Sequence, residues 1–173
     1  MSAPAVVAQM QAPSLLQLET PCLLLDVDRL ERNCQRMLAR AGALGVRLRP
    51  HLKTAKSPEV AARATDHSRS ITVSTLKEAE YFARHDYADS VCATAIVPGK
   101  FAHAARIREE TGCDLILVTD ALTVAQDAAR FAAAQGRTFS FLVEIDCGEH
   151  RSGLLPHNAD VVALAREIGR AHV

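Results

Sequence analysis

Short aliphatic runs alternate along this chain with longer, alanine-rich stretches whose apolar positions recur every three or four residues. Such patterning predicts strands alternating with amphipathic helices, and so an α/β fold. Residues 22–27 read as a first strand whose exit residue, Asp28, caps a helix running to about Ala43. On that helix Leu30, Cys34, Met37, Leu38 and Ala41 fall near one face, and Gly42 and Gly45 stop it. Val46-Arg47-Leu48 is a short β-like run. Ser57-Pro58-Glu59 then supplies a capping hydroxyl, a proline at the first helical position and an acid in the first turn, which predicts a helix to about Thr65.

The rhythm continues with strands at 71–73, 91–95 and 115–118. Helices follow each: one opened by the capping-box spacing of Thr75 and Glu78 and running to His85, one over 101–110, and one capped by Asp120 and ending near Gly136. In the last strand, 138–145, Phe139, Phe141, Val143 and Ile145 alternate with Ser140, Leu142 and Glu144. Both faces are largely apolar, as a buried parallel strand requires. Six strand–helix steps of this size predict a (β/α)8 barrel, with a doubly wound sheet as the alternative. No G-x-G-x-x-G follows a strand, which weakens a dinucleotide-binding version.

A chain of 173 residues, 49% of them hydrophobic, is long and apolar enough for one globular domain. Its 20 basic residues balance 20 acidic ones with no basic block, so neither nucleic acid nor a membrane is indicated and a small substrate or protein partner is expected. Five cysteines without a C-x-x-C pair suggest reduced thiols in the cytoplasm rather than a disulfide framework or zinc cluster. Residues 1–19 lack a positively charged n-region and are broken by Pro4 and Pro13, so they read as a flexible leader.

Two segments carry candidate chemistry. Arg49-Pro50-His51-Leu52-Lys53-Thr54-Ala55-Lys56 places Lys53 in a strand-to-helix loop, where α/β folds hold their active sites. Crowding by Arg47, Arg49 and Lys56 and partial burial are both expected there, conditions that make a lysine amine nucleophilic toward carbonyls. On local composition alone, the segment reads as a solvated basic loop. The second, Asp146-Cys147-Gly148-Glu149-His150-Arg151-Ser152-Gly153, has two glycines that permit a tight loop presenting Arg151 toward a barrel mouth. His67, His85 and His103 show no ligand-pair spacing, so solvated or capping roles are expected. His150 reads as loop-exposed and Cys147 as packing.

Taken together, R-P-H-x-K-T-x-K, D-x-G-x-x-R-x-G and the opening Thr20-Pro21-Cys22-Leu23-Leu24-Leu25-Asp26 resemble the D-threonine aldolase and D-serine dehydratase family, within the alanine-racemase-type (fold type III) pyridoxal-phosphate enzymes. The resemblance runs from about Thr20 to Arg166. It implies a partial (β/α)8 TIM barrel of the alanine racemase N-terminal type over 20–166, with about five barrel strands, and an exposed apolar face where the barrel is open. Lys53 would be the lysine that forms a Schiff base with pyridoxal 5'-phosphate. Arg151 would hydrogen-bond the cofactor's phenolic oxygen, and His51 and Thr54 would line its pocket.

The activity implied is that of a lyase on D-3-hydroxy amino acids, of aldolase or dehydratase type. An amino-acid racemase of the same fold and a noncatalytic cofactor-binding protein are the alternatives. A divalent metal would be held by a histidine and a cysteine outside this chain, and the full-length protein would be a homodimer. Glu167-Ile168-Gly169-Arg170-Ala171-His172-Val173 matches a translated sequencing adapter, so 167–173 are expected to be a non-native tail and the chain alone weakly active at most.

Overall fold

The computed structural model describes residues 14–170. Ser14 opens a short 3-10 turn, Leu15–Gln17, and residues 1–13 of the expected leader and 171–173 of the expected tail lie outside the described residues. In chain order the elements are α1 (Val27–Ala43), α2 (Pro58–Ala64), β1 (Ser70–Val73), α3 (Leu76–Ala83), β2 (Asp89–Ala95), α4 (Phe101–Thr111), β3 (Asp114–Thr119), α5 (Leu122–Gln135), β4 (Ser140–Val143) and α6 (Asp160–Arg170). The four strands are all parallel and lie in the order β1-β2-β3-β4. Each strand therefore neighbours the next in sequence, with no switch in direction. That is the winding of a (β/α) barrel and not of a doubly wound sheet.

A fifth position is taken by the lysine segment. Thr72 donates its N–H to Pro50 O at 2.9 Å, Leu52 donates back to Thr72 O at 3.0 Å, and His51 bridges Thr72 in parallel. The segment thus stands on the free side of β1, where a preceding barrel strand would stand.

One face of the sheet is dry. Ile71, Val73, Leu115 and Leu117 are fully buried there beneath the helices, against Phe82, Phe101, Ala104 and Ile107. Phe101 and Phe139 stand 5.8 Å apart and Phe139 meets Phe141 at 6.3 Å, so an aromatic cluster fills the space between α4, α5 and β4. Burying one such side chain contributes about 1.5–3 kcal/mol, which makes this layer the main source of stability. The opposite face is only partly covered: Thr72 and Ile116 are half-buried and Leu142 is exposed.

Several local expectations fail for physical reasons. Residues 22–27 form no strand. Leu23, Leu24 and Leu25 are exposed, with no neighbouring strand to ladder against, and α1 starts at Val27 with Asp26, not Asp28, accepting the Arg29 N–H at 2.9 Å. Val46-Arg47-Leu48 likewise makes no ladder, because the contact with β1 falls two residues later. β4 covers four residues instead of eight and is an exposed sheet edge on its Leu142 side, not a strand buried on both faces.

Asp120 does not cap α5. The N-cap position is Ala121, without a side-chain bond, and Asp120 serves a different loop. The sequence reading did not find α6, which buries Leu164 and packs on α5 and β4 and whose last four residues are 167–170. No helix among the described residues is long and apolar enough to cross a membrane.

Candidate active site

All strands run in one direction, so both chemistry-bearing segments emerge at the same, C-terminal edge of the sheet. Lys53 follows the bridge to β1, and Arg151 follows β4. They stand at opposite ends of the strand order, with no hydrogen bond or ion pair between them.

The lysine loop is pinned by its neighbours. His51 Nε2 lies 3.0 Å from Ser74 Oγ. Ser74 in turn donates its N–H to Glu78 Oε2 at 2.8 Å, and Glu78 Oε1 pairs with Lys56 Nζ at 3.2 Å. Thr75 caps α3 by accepting the Glu78 N–H, as the sequence predicts, but the Glu78 carboxylate reaches Ser74 rather than completing a box with Thr75 itself. On the other side Arg49 Nη1 binds Asp89 Oδ1 at 2.5 Å.

The charge crowding expected around Lys53 is therefore absent: Arg49 and Lys56 are paired with acids, and Lys53 is exposed instead of partly buried. Lys53 makes no ion pair or hydrogen bond among the described residues, so its side chain is open to solvent. Partial desolvation of the ring, and then the charge of Lys53, hold the His51 imidazole below its ordinary pKa, while Glu78 pulls the other way. Thr54 is exposed beside them.

The arginine loop turns back on itself. Asp146 donates its N–H to Leu154 O at 2.9 Å, Leu154 donates to Glu144 O at 2.9 Å, and Ile145 bridges Leu154 in parallel. Inside the loop Asp146 accepts the N–H groups of Gly148 and His150, and these bonds hold its carboxyl below the usual carboxylate range. Arg151 is exposed, with Glu149 3.9 Å away, and both line a cavity of about 310 Å³ with Glu144, Asp146 and Cys147. His150 is exposed, and Cys147 lies on the surface instead of packing. A larger cavity of about 700 Å³, lined by Leu38, Val46, Thr65 and Arg69, opens where residues 65–69 lead into β1, away from Lys53 and Arg151.

Sequence reasoning missed Ser74, Glu78's contact with Lys56, and the reach of Asp120 and Glu144 into the arginine loop. A polar residue just past a strand end was the available signal for Ser74 and Asp120. Helix capping offered a simpler reading of both Asp120 and Glu78.

The sequence profile of the family described as "Alanine racemase, N-terminal domain" matches residues 25–173. The chain belongs to this family. Within it, the chain is 44% identical to D-threo-3-hydroxyaspartate dehydratase of Delftia sp. over 91% of its own length and 40% of that enzyme's. It is 35% identical to 3-hydroxy-D-aspartate aldolase of Paracoccus denitrificans over 90% of this chain and 40% of that one. Among solved structures, D-threonine aldolase from Filomicrobium marinum matches with a TM-score of 0.80 at 28% identity, covering 93% of this chain and 45% of that one. A cysteine variant of the D-threo-3-hydroxyaspartate dehydratase has been solved in a metal-free form. The chain spans about two fifths of the length of the curated relatives it matches.

Membership of this fold type III family implies pyridoxal phosphate, and two described side chains have the chemistry to meet neighbouring groups on its ring. An unpartnered amine at Lys53 suits its aldehyde, and an exposed guanidinium at Arg151 suits its phenolic oxygen. They do not fit a metal: no group of three or more His, Cys, Asp or Glu among the described residues could hold one.

Proposed function

We propose that this chain is the cofactor-holding part of a pyridoxal-phosphate-dependent lyase acting on D-3-hydroxy amino acids. The observation that carries the reading is the free Lys53 amine at the C-terminal edge of a barrel-ordered parallel sheet, on a loop tied at both flanks by Arg49–Asp89 and Lys56–Glu78. The dehydratases and aldolases to which the chain is similar support the substrate class.

Pyridoxal phosphate, when bound, draws electrons away from the bonds at the substrate Cα. Lys53 would be the amine that holds the cofactor aldehyde, and its side chain could take or return a proton at the substrate Cα. Arg151 donates hydrogen bonds to the phenolic oxygen, while His51 and Thr54 border the amine and restrict how a substrate approaches it. Orientation decides which bond breaks, and so whether cleavage or dehydration follows. A divalent metal, if one takes part, is held by residues outside 14–170, and no step is assigned to it. A homodimer in the cytoplasm belongs to the same reading.

Borohydride reduction of the chain with pyridoxal phosphate, followed by peptide mapping, is expected to leave a pyridoxyl group on Lys53. With D-threonine an aldolase releases glycine and an aldehyde, and with D-serine a dehydratase releases a 2-oxo acid and ammonia. Labelling only of other lysines, or inversion of a simple amino acid without either product, would overturn the proposal.

A further inference from the structure

We propose that Asp146 and Asp120 are positioning residues that hold the loop 146–153 so that Arg151 meets the cofactor ready-oriented; this rests on the reading of Arg151 as a cofactor-binding group. Arg151 itself is held by almost nothing, being 82% exposed with a single distant ion pair to Glu149. A guanidinium on a mobile loop would lose loop and rotamer freedom on each engagement, and that loss subtracts from affinity. The loop, however, is gripped on both sides of the arginine.

Before Arg151, Asp146 Oδ1 accepts the Gly148 N–H at 2.8 Å and the His150 N–H at 3.1 Å, and Asp146 Oδ2 faces His150 Nδ1 at 2.8 Å. After it, Asp120, at the end of β3, accepts the Gly153 N–H at 3.0 Å. Ser152 adds a bond to Glu144 at 2.7 Å. These bonds fix a left-handed φ of +53° at His150, which a side-chain-bearing residue avoids, between glycines at +117° (Gly148) and +93° (Gly153) that adopt such values freely. His150 immediately precedes Arg151, so its left-handed backbone sets the direction in which the arginine leaves the loop.

The choice of acids follows from the same geometry. Asp120 stands beside the start of α5, yet its carboxylate crosses to the neighbouring strand's loop instead of capping that helix. Asp146 spends both oxygens inside the loop. Because a carboxylate accepting N–H groups makes stronger bonds than a neutral acceptor, two acids can hold the backbone of the loop on both sides of Arg151.

Titrating the full chain with pyridoxal phosphate, read by the visible band of the bound cofactor and by borohydride trapping on Lys53, tests the proposal. Asp146→Ala and Arg151→Ala are each expected to weaken cofactor binding about tenfold and to shift the band in the same way. The double variant should bind no more weakly than Arg151→Ala, since Asp146 acts through the arginine. Asp146→Asn, which keeps an oxygen acceptor for Gly148 and His150, should stay within about threefold of the parent. Asp120→Ala should weaken binding in the same sense with no change in the fold read by circular dichroism.

Trapping on Lys53 with wild-type affinity in both Asp→Ala variants overturns the positioning role alone, as does an additive, about hundredfold loss in the double variant. Absence of Lys53 labelling in the parent chain overturns the cofactor reading and the positioning role together. Should Asp146→Ala fail to fold, Asp120→Ala and Asp146→Asn carry the same comparison.

Discussion

Arg49 Nη1 lies 2.5 Å from Asp89 Oδ1, which joins the segment leading to Lys53 to the first residue of β2. Asp89 Oδ2 also accepts the Ser70 hydroxyl at 2.6 Å, so one carboxylate ties together three adjacent backbone runs at the N-terminal end of the sheet. The lysine segment has few ladder bonds, and this side-chain tie replaces part of what a ladder would supply.

Burial pushes the Asp89 carboxyl up, but the bonds from Arg49 and Ser70 and the charge of Arg49 outweigh it and hold the group below the usual carboxylate range. A depressed folded pKa means that the contribution is fully present above the unfolded value, about 3.9, and is lost as pH falls through the folded one. Asp89→Asn is expected to cost about 1–3 kcal/mol at pH 7 and to flatten the loss of stability below about pH 4. Urea unfolding at pH 7 and pH 3 checks this, and an unchanged pH dependence in the variant would remove Asp89 from the account.

The exposed leucines make an opposite prediction. Leu25 is 59% exposed, whereas Leu117 is fully buried in β3. Leu25→Ser should change the unfolding free energy by less than about 0.5 kcal/mol, and Leu117→Ala should cost about 2–5 kcal/mol. A large cost at Leu25 would show that residues 22–26 pack in solution as a strand.

Those leucines also mark where the sequence stops being legible. Periodicity located β1, β2 and β3 and the helices between them because each element buries a face against its neighbours, and such burial is written in the spacing of its own residues. The run Leu23-Leu24-Leu25 carries equal hydrophobicity, but a strand needs a partner, and partnership is a property of two segments. The same holds at Asp120. A local rule assigned it to the helix beside it, while the bond that forms reaches Gly153, 33 residues away. Lys53 and Arg151 were singled out by motif, yet the ties at Ser74, Glu78 and Asp120 lie outside those motifs, in segments where Glu78 and Asp120 read as helix-capping residues.

Glu78 provides a test of the lysine loop. Its carboxylate is raised by burial, but the Ser74 N–H and the Lys56 ammonium more than reverse this, and the group titrates below the ordinary glutamate range. Lys56 has φ +47°, an unfavourable conformation for a side-chain-bearing residue, which the contact at 3.2 Å helps to hold. Glu78→Ala should raise the rate of tryptic cleavage after Lys53 and Lys56 about tenfold while the core remains protected. In the parent chain the same loosening should appear as pH falls below about 4.3, the unfolded glutamate value, since a depressed group loses its contribution on protonation. Equal cleavage rates in parent and variant would show that the loop is held by something else.

Two glycines of the arginine loop separate conformational from steric strain. Both have left-handed backbones, φ +117° at Gly148 and +93° at Gly153, so alanine at either costs about 1–3 kcal/mol for backbone conformation alone. A Cβ at Gly148 meets open space. At Gly153 it would stand 2.7 Å from Asp146 N and 2.9 Å from Ile145 C, both backbone atoms that cannot swing aside. Gly153→Ala must therefore also break the Ile145–Leu154 bridge, which closes the base of the loop. It is expected to be the more destabilising of the two by at least about 1 kcal/mol in thermal unfolding, with loss of amide protection at Leu154, while Gly148→Ala leaves that amide protected. Equal costs, or a Leu154 amide still protected in Gly153→Ala, would mean that the loop base can widen without opening.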